Sequence, residues 1–178
     1  MMVYGAKDLA RAFRTVRLNT LKIAEDIPED KYGFSPAPGA RTVAQTLVHI
    51  AVNRRIHQGL QSEKDPTRLG ANFTALISEV MAEEQKPRNK AEVVALLRSE
   101  ADAFTTWLDG LDDAFLGELV TLPPGSDPPA KARLEMLLSP KEHEMHHRGQ
   151  LMVVERLLGI TPHLTRAQQE RLAAQAKA

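Results

Sequence analysis

Residues 143–150 read HEMHHRGQ, so three of the six histidines in the chain fall within one short stretch. On a helix, side chains four apart share a face, which aims His143 and His147 the same way. Further steps along that face reach Leu151, Val154 and Leu158. The pair therefore extends an apolar stripe expected to face a core. An imidazole buried there needs a partner for each ring nitrogen, and an unmatched one costs roughly 1–3 kcal/mol. A divalent metal would satisfy both rings at once, with nitrogen–metal distances of about 2.0–2.1 Å. His146 also stands at i,i+3 from His143, so spacing favours the 143/147 pair without excluding 146.

A third ligand must come from elsewhere. His49 is the histidine deep inside another amphipathic segment, whereas His57 lies near that segment's end and His163 follows Pro162; both of these read as surface residues. A lone helical histidine is ordinarily a packing residue, and the paired positions are the stronger signal. Three histidines would leave coordination positions free for water or substrate, the arrangement of a catalytic metal.

The same residues match H-E-x-x-H, in which two histidines bind zinc and the Glu activates water for proteolysis. That reading needs a third ligand downstream. Glu170 is the candidate, but Gly159 and Pro162 break the chain first. It also wants a strand edge to hold the peptide, and no strand is legible. Glu144 is then expected to be an exposed acid of the helix's first turn, where it favours the dipole.

The elements that must position these groups are helical. Leu9, Ala12, Phe13, Val16, Thr20, Ile23 and Ile27 give one stripe from Lys7 to about Glu25, and Pro28 stops it. Residues 28–41 hold three prolines and two glycines and read as a loop. Thr42 and Gln45 form a capping box that opens a helix running to about Gly59. A shorter helix is expected from Asn72 to Glu84, and Asn89 with Glu92 caps another that ends at Gly110. Residues 121–129 are proline-rich, and Lys131 to Leu138 reads as one or two turns. Ser139 and Pro140 predict the start of the last long helix, from Pro140 to about Leu158. A short final helix is expected with Thr165 as its cap. The pattern is all-α: a four-helix bundle over residues 1–160 with short additional helices, and a helical tail over 161–178.

Composition narrows the function classes. Lys and Arg number 23 and Asp and Glu 23, with no basic run, so no nucleic-acid surface is expected. There are no cysteines, which removes disulfides and thiolate metal sites. The N-terminus lacks the apolar stretch of a signal peptide, and no run is long enough to span a membrane. A soluble, cytoplasmic protein is the expectation.

Three stretches resemble the DinB/YfiT-like superfamily of damage-inducible bacterial proteins: PAPGARTVAQTLVHIA at 36–51, AEEQKPRNKAEVVALL, and HEMHHRGQLMVVERLLG at 143–159. The last, with its H-x-x-x-H-R-G-Q pattern, is the most specific. The resemblance implies a four-helix bundle, often a homodimer, with a divalent metal on three histidines. Carried over by position these are His49, His143 and His147, which decides against His146. Zinc or nickel is the first expectation for the metal, then iron or manganese. Some members of the superfamily transfer low-molecular-weight thiols, others resemble metal-dependent hydrolases or isomerases, and many have no assigned activity.

The expected function is accordingly a metal-dependent enzyme acting on a small molecule, of thiol S-transferase or hydrolase type. The alternative is a metal-binding, stress-related bundle without catalysis. Any sulfur nucleophile must arrive with a substrate or cosubstrate, since the chain has no cysteine. Arg54, Arg55 or Arg148 would be placed to anchor a carboxylate on it, although helix arginines are mostly solvated. Asn53, four residues beyond His49, could orient a ligand, and Gly149 and Gln150 read equally as packing.

Overall fold

The computed structural model describes residues 4–63 and 69–176. Seven α-helices are seen among them: α1 (Ala6–Asp26), α2 (Val43–Ser62), α3 (Leu69–Glu84), α4 (Lys90–Asp109), α5 (Asp113–Gly117), α6 (Arg133–Leu157) and α7 (His163–Gln175). Between α5 and α6, β1 (Leu119–Thr121) and β2 (Ala130–Ala132) pair as a short antiparallel ribbon.

Both capping boxes form as the sequence predicts. Gln45 N–H donates to Thr42 Oγ1 at 3.2 Å and Thr42 N–H to Gln45 Oε1 at 2.9 Å; Asn89 and Glu92 do the same for α4. These bonds satisfy orphan donors at the two helix starts, which fixes where α2 and α4 begin.

The bundle is a four-helix arrangement. α1 packs on α4 and α6, and α2 packs on the same two helices, so α1 and α2 stand on opposite corners. α3 leans on the outer side of α2. Two apolar clusters fill the interior. One holds Ile23, Leu47, Leu97 and Leu151; the other holds Phe13, Phe104, Leu108 and Leu116.

A polar layer separates them. Arg17 of α1, only 2% exposed, donates through Nε to both oxygens of Glu144 at 2.9 and 3.2 Å. Its other amines reach the Leu97 carbonyl of α4 at 2.6 Å and the Ile50 carbonyl of α2 at 3.2 Å. Thr20 Oγ1 donates to Glu144 at 2.7 Å. One side chain thus ties all four bundle helices together, and every polar group in the layer has a partner.

Several expectations are corrected. Glu144 is buried in this layer and is not an exposed first-turn acid. The reason is that α6 does not start at Pro140. It begins at Arg133 and runs through Pro140, absorbing the separate turns expected over 131–138. A mid-helix proline removes one backbone bond; here Pro140 is buried in the packed helix, where tertiary contacts outweigh that local loss. A two-stranded ribbon exists where no strand was read. α7 starts at His163 behind Pro162, two residues before the expected cap at Thr165. His163 is buried, its Nε2 3.1 Å from Asn19 Oδ1, and His57 is half-buried, its Nε2 3.1 Å from Asn53 Oδ1. No described helix is long and apolar enough to cross a membrane.

Candidate metal centre

The fold brings His49 of α2 against His143 and His147 of α6. His143 Nε2 lies 3.0 Å from His49 Nε2 and 3.1 Å from His147 Nε2, and one ligand atom of each ring falls within 4.8 Å of the others. His49 and His147 are each 8% exposed. His146, set aside by the resemblance, instead meets Gln150 Nε2 at 3.1 Å on an exposed face.

The partners of the far nitrogens define the chemistry. His49 Nδ1 is 2.6 Å from Glu84 Oε1, and His147 Nδ1 is 2.8 Å from Gln150 Oε1. A carboxylate and an amide oxygen can only accept, so both rings carry their proton on Nδ1. Their Nε2 lone pairs then both aim at His143 Nε2. That nitrogen can donate one proton at most, so one lone pair in the group has no hydrogen to meet. A cation at the centre removes the conflict. Metal–nitrogen bonds of about 2.0–2.1 Å require nitrogens roughly 2.9 Å apart in octahedral geometry and roughly 3.4 Å in tetrahedral geometry. Two of the three separations, 3.0 and 3.1 Å, fall between those limits, and the third lies within 4.8 Å, so the residues present are compatible with a divalent ion.

Electrostatics favour the neutral form of two of the donors, His143 and His147. Burial, with the neighbouring imidazoles of His147 and His49, pushes the His143 pKa down to about 3. Burial also lowers His147, more than Gln150 restores it. Glu84 is raised by burial, but the His49 and Arg41 contacts win and hold it below the ordinary carboxylate range. Neutral imidazole is the metal-binding form, so these shifts favour coordination.

Beside the cluster lies a cleft of about 810 Å³ between the start of α2, the end of α3 and α6, with Arg41, Gln45, Glu84, His147 and Gln150 among its walls. Its size suits a small molecule. Arg41 Nε donates to Glu84 Oε2 at 2.6 Å, so a chain runs from Arg41 through Glu84 to His49. Glu84 and Arg41 were missed in the sequence. Glu84 closes α3 four residues after buried Val80, a phase that hints at an inward acid; Arg41 sits in a loop and gives no periodic signal.

Arg54 and Arg55 do not reach this cleft's lining; both pair with Glu100. Arg148, half-buried on α6, is not among the residues that line the cleft. Asn53 is bonded to His57. Glu144, held by Arg17 on the core side, is unavailable to activate water, which removes the protease reading of H-E-x-x-H.

The fold is a helical bundle that gathers three histidines from two facing helices into a group able to hold a metal ion. The chain belongs to the DinB superfamily, whose family model matches residues 12–151. It is similar in structure to a DinB-like protein from Bacillus cereus, with 17% identity, 90% of this chain and 97% of that chain covered, and a TM-score of 0.67. It is similar also to YfiT from Bacillus subtilis, described as "a probable metal-dependent hydrolase with an unusual four-helix bundle topology", with 18% identity, coverage of 88% and 89%, and a TM-score of 0.60. A mycothiol-dependent maleylpyruvate isomerase aligns at 13% identity and a TM-score of 0.61, over 84% of this chain and 63% of that one. No curated protein matches the sequence.

Proposed function

We propose that the protein is a divalent-metal-dependent enzyme acting on a small molecule, with His49, His143 and His147 as the metal ligands. The observation that carries this reading is the convergence of two acceptor-only Nε2 atoms on a third, at the wall of a cleft large enough for a substrate. A bound divalent ion supplies a Lewis acid that makes water or a thiol available as its anion near neutral pH.

The chain's own residues set the stage for that chemistry. Glu84 and Gln150 hold the tautomers and ring orientations of His49 and His147. Arg41 keeps Glu84 ionised and in place. The apolar side of the cleft, with Leu151 and Val154, excludes water from one side of the substrate. Two chemistries fit: hydrolysis, and transfer of a low-molecular-weight thiol, the classes suggested by the YfiT and isomerase likenesses. Zinc or nickel is favoured by an all-imidazole donor set, over iron or manganese. The presence of an accessible cleft favours an enzyme over a sealed, non-catalytic metal site.

The test is turnover by protein reconstituted separately with zinc and nickel, against activated esters and against a thiol plus an electrophilic aryl chloride. Metal-dependent turnover that is lost in His49→Ala supports the proposal. Turnover unchanged by that substitution, or none with any metal, overturns it.

A further inference from the structure

Among the described residues the cleft is lined by one cation, Arg41, and its hydrogen-bonding capacity is only half used. A guanidinium offers two edges to a carboxylate: the side edge formed by Nε and one amine, and the end edge formed by both amines. Glu84 occupies the side edge, at 2.6 Å from Nε and 3.5 Å from Nη2. Nη1 has no partner among the described residues, and the side chain remains 41% exposed while lining the cleft.

The other source of positive character is spent. Arg41 immediately precedes α2, and a helix start is a common anion site because of its free N–H groups. Here those groups are already bonded: Thr42 to Gln45 Oε1, Val43 to the Phe34 carbonyl, Ala44 to the Tyr32 carbonyl, and Gln45 to Thr42 Oγ1. The helix start adds only its dipole, so the charged donor left for an anion among the described residues is Arg41, with the neutral amides of Gln45 and Gln85 beside it.

The charge balance points the same way. Arg41 and Glu84 cancel, and imidazole ligands add no charge, so a divalent ion held by them would leave the cleft favouring an anionic guest. We infer that the cleft takes a small molecule bearing a carboxylate, held on the free Nη1–Nη2 edge of Arg41, while its reactive end lies at the His147 side of the histidine cluster. This rests on the metal-site reading above, and it makes Arg41 the residue that selects the substrate class. The same arginine holds Glu84, so the anchored end of the substrate is linked by two hydrogen bonds to a metal ligand.

The experiment compares 3-mercaptopropionate with its neutral isostere 3-mercaptopropionamide, by calorimetry, on the full chain loaded with Co²⁺. The visible absorption of Co²⁺ reports separately whether the histidine site holds metal. The expected result is about tenfold tighter binding of the carboxylate by the native protein, the scale of one charge-assisted hydrogen-bond pair at a partly exposed site. Arg41→Gln should abolish that preference, with the Co²⁺ spectrum recording separately whether the histidine site still holds metal once the support of Glu84 is lost. Arg41→Lys should restore a part of it, since the charge returns without the fork. Absence of the Co²⁺ spectrum counts against the metal site itself. A Co²⁺-loaded protein that binds both probes equally, binds neither, or keeps the preference in Arg41→Gln overturns the anchoring role.

Discussion

Replacing Glu144 by Gln separates the architectural reading of H-E-x-x-H from the catalytic one. The substitution keeps size and one acceptor oxygen but removes the charge. Arg17, 2% exposed, is then left as a buried cation without an anionic partner, held by the neutral amide oxygen and two backbone carbonyls. Breaking a buried pair by neutralising one partner costs about 3–5 kcal/mol. In a chain of this size each kcal/mol moves Tm by about 2–4 °C, so Glu144→Gln should melt about 6–20 °C below the native protein. Urea unfolding at pH 7, with metal content measured on the same samples, reads both quantities. Metal stoichiometry should be unchanged, because Glu144 faces α1 and the ligands face α2. The double substitution Arg17→Met with Glu144→Met should recover most of the loss, as apolar replacement of a buried pair often does. Native stability in Glu144→Gln together with abolished activity would refute this reasoning and restore Glu144 as a catalytic base.

Other consequences are equally concrete. Glu84→Gln weakens the acceptor on His49 Nδ1, and loss of such a partner should lower metal affinity about 10- to 100-fold in competition with a chelator, with the fold intact by circular dichroism. Glu155 is fully buried, and neither of its oxygens has a hydrogen-bond partner among the described residues. Burial, with the nearby Asp26 carboxylate, pushes its pKa up to about 7. The unfolded chain releases this proton at a lower pH than the folded one, so stability should fall as pH rises from about 4.5 to 7. Glu155→Gln should flatten that part of the stability curve and raise stability at pH 8 by roughly 3 kcal/mol, as urea unfolding across pH would reveal. An unaltered curve would mean that Glu155 finds a partner in solution.

Much of the bundle was legible because its helices carry strong local signals. The capping boxes at Thr42 and Asn89 and the stripe from Leu9 to Ile27 hold in the structure, since local bonding and burial there agree. The start of α6 was misplaced because Pro140 satisfies the rule for a first helical turn, while the packing of α6 against α1 and α2 carries the helix through it. A helix starting at Pro140 would place Glu144 in a solvated first turn, whereas the start at Arg133 places it mid-helix against α1. The apolar phase held the better clue. Arg17 falls between Phe13 and Thr20, and Glu144 lies seven residues before Leu151, so both charges stand in step with buried neighbours. Charged residues in phase with a core stripe signal a buried pair, and they escaped notice because composition rules place them outside. At the site, helix spacing aligns His143 with His147 and the amphipathic setting of His49 marks it as the third candidate, while the choice against His146 rests on the resemblance. Glu84 and Arg41 act through contacts between α3, a loop and α2; the phase of Glu84 with Val80 only hints at its burial, and no period marks Arg41.

The central claim is that His49, His143 and His147 hold one divalent ion. Its most direct test is the metal content, by mass spectrometry, of protein purified without an affinity tag, alongside the His143→Ala/His147→Ala double variant. The account predicts close to one equivalent of zinc, nickel, iron or manganese in the native protein and none in the double variant, with the helical content of both unchanged. A native protein that contains no metal and gains no thermal stability when these ions are added would contradict it.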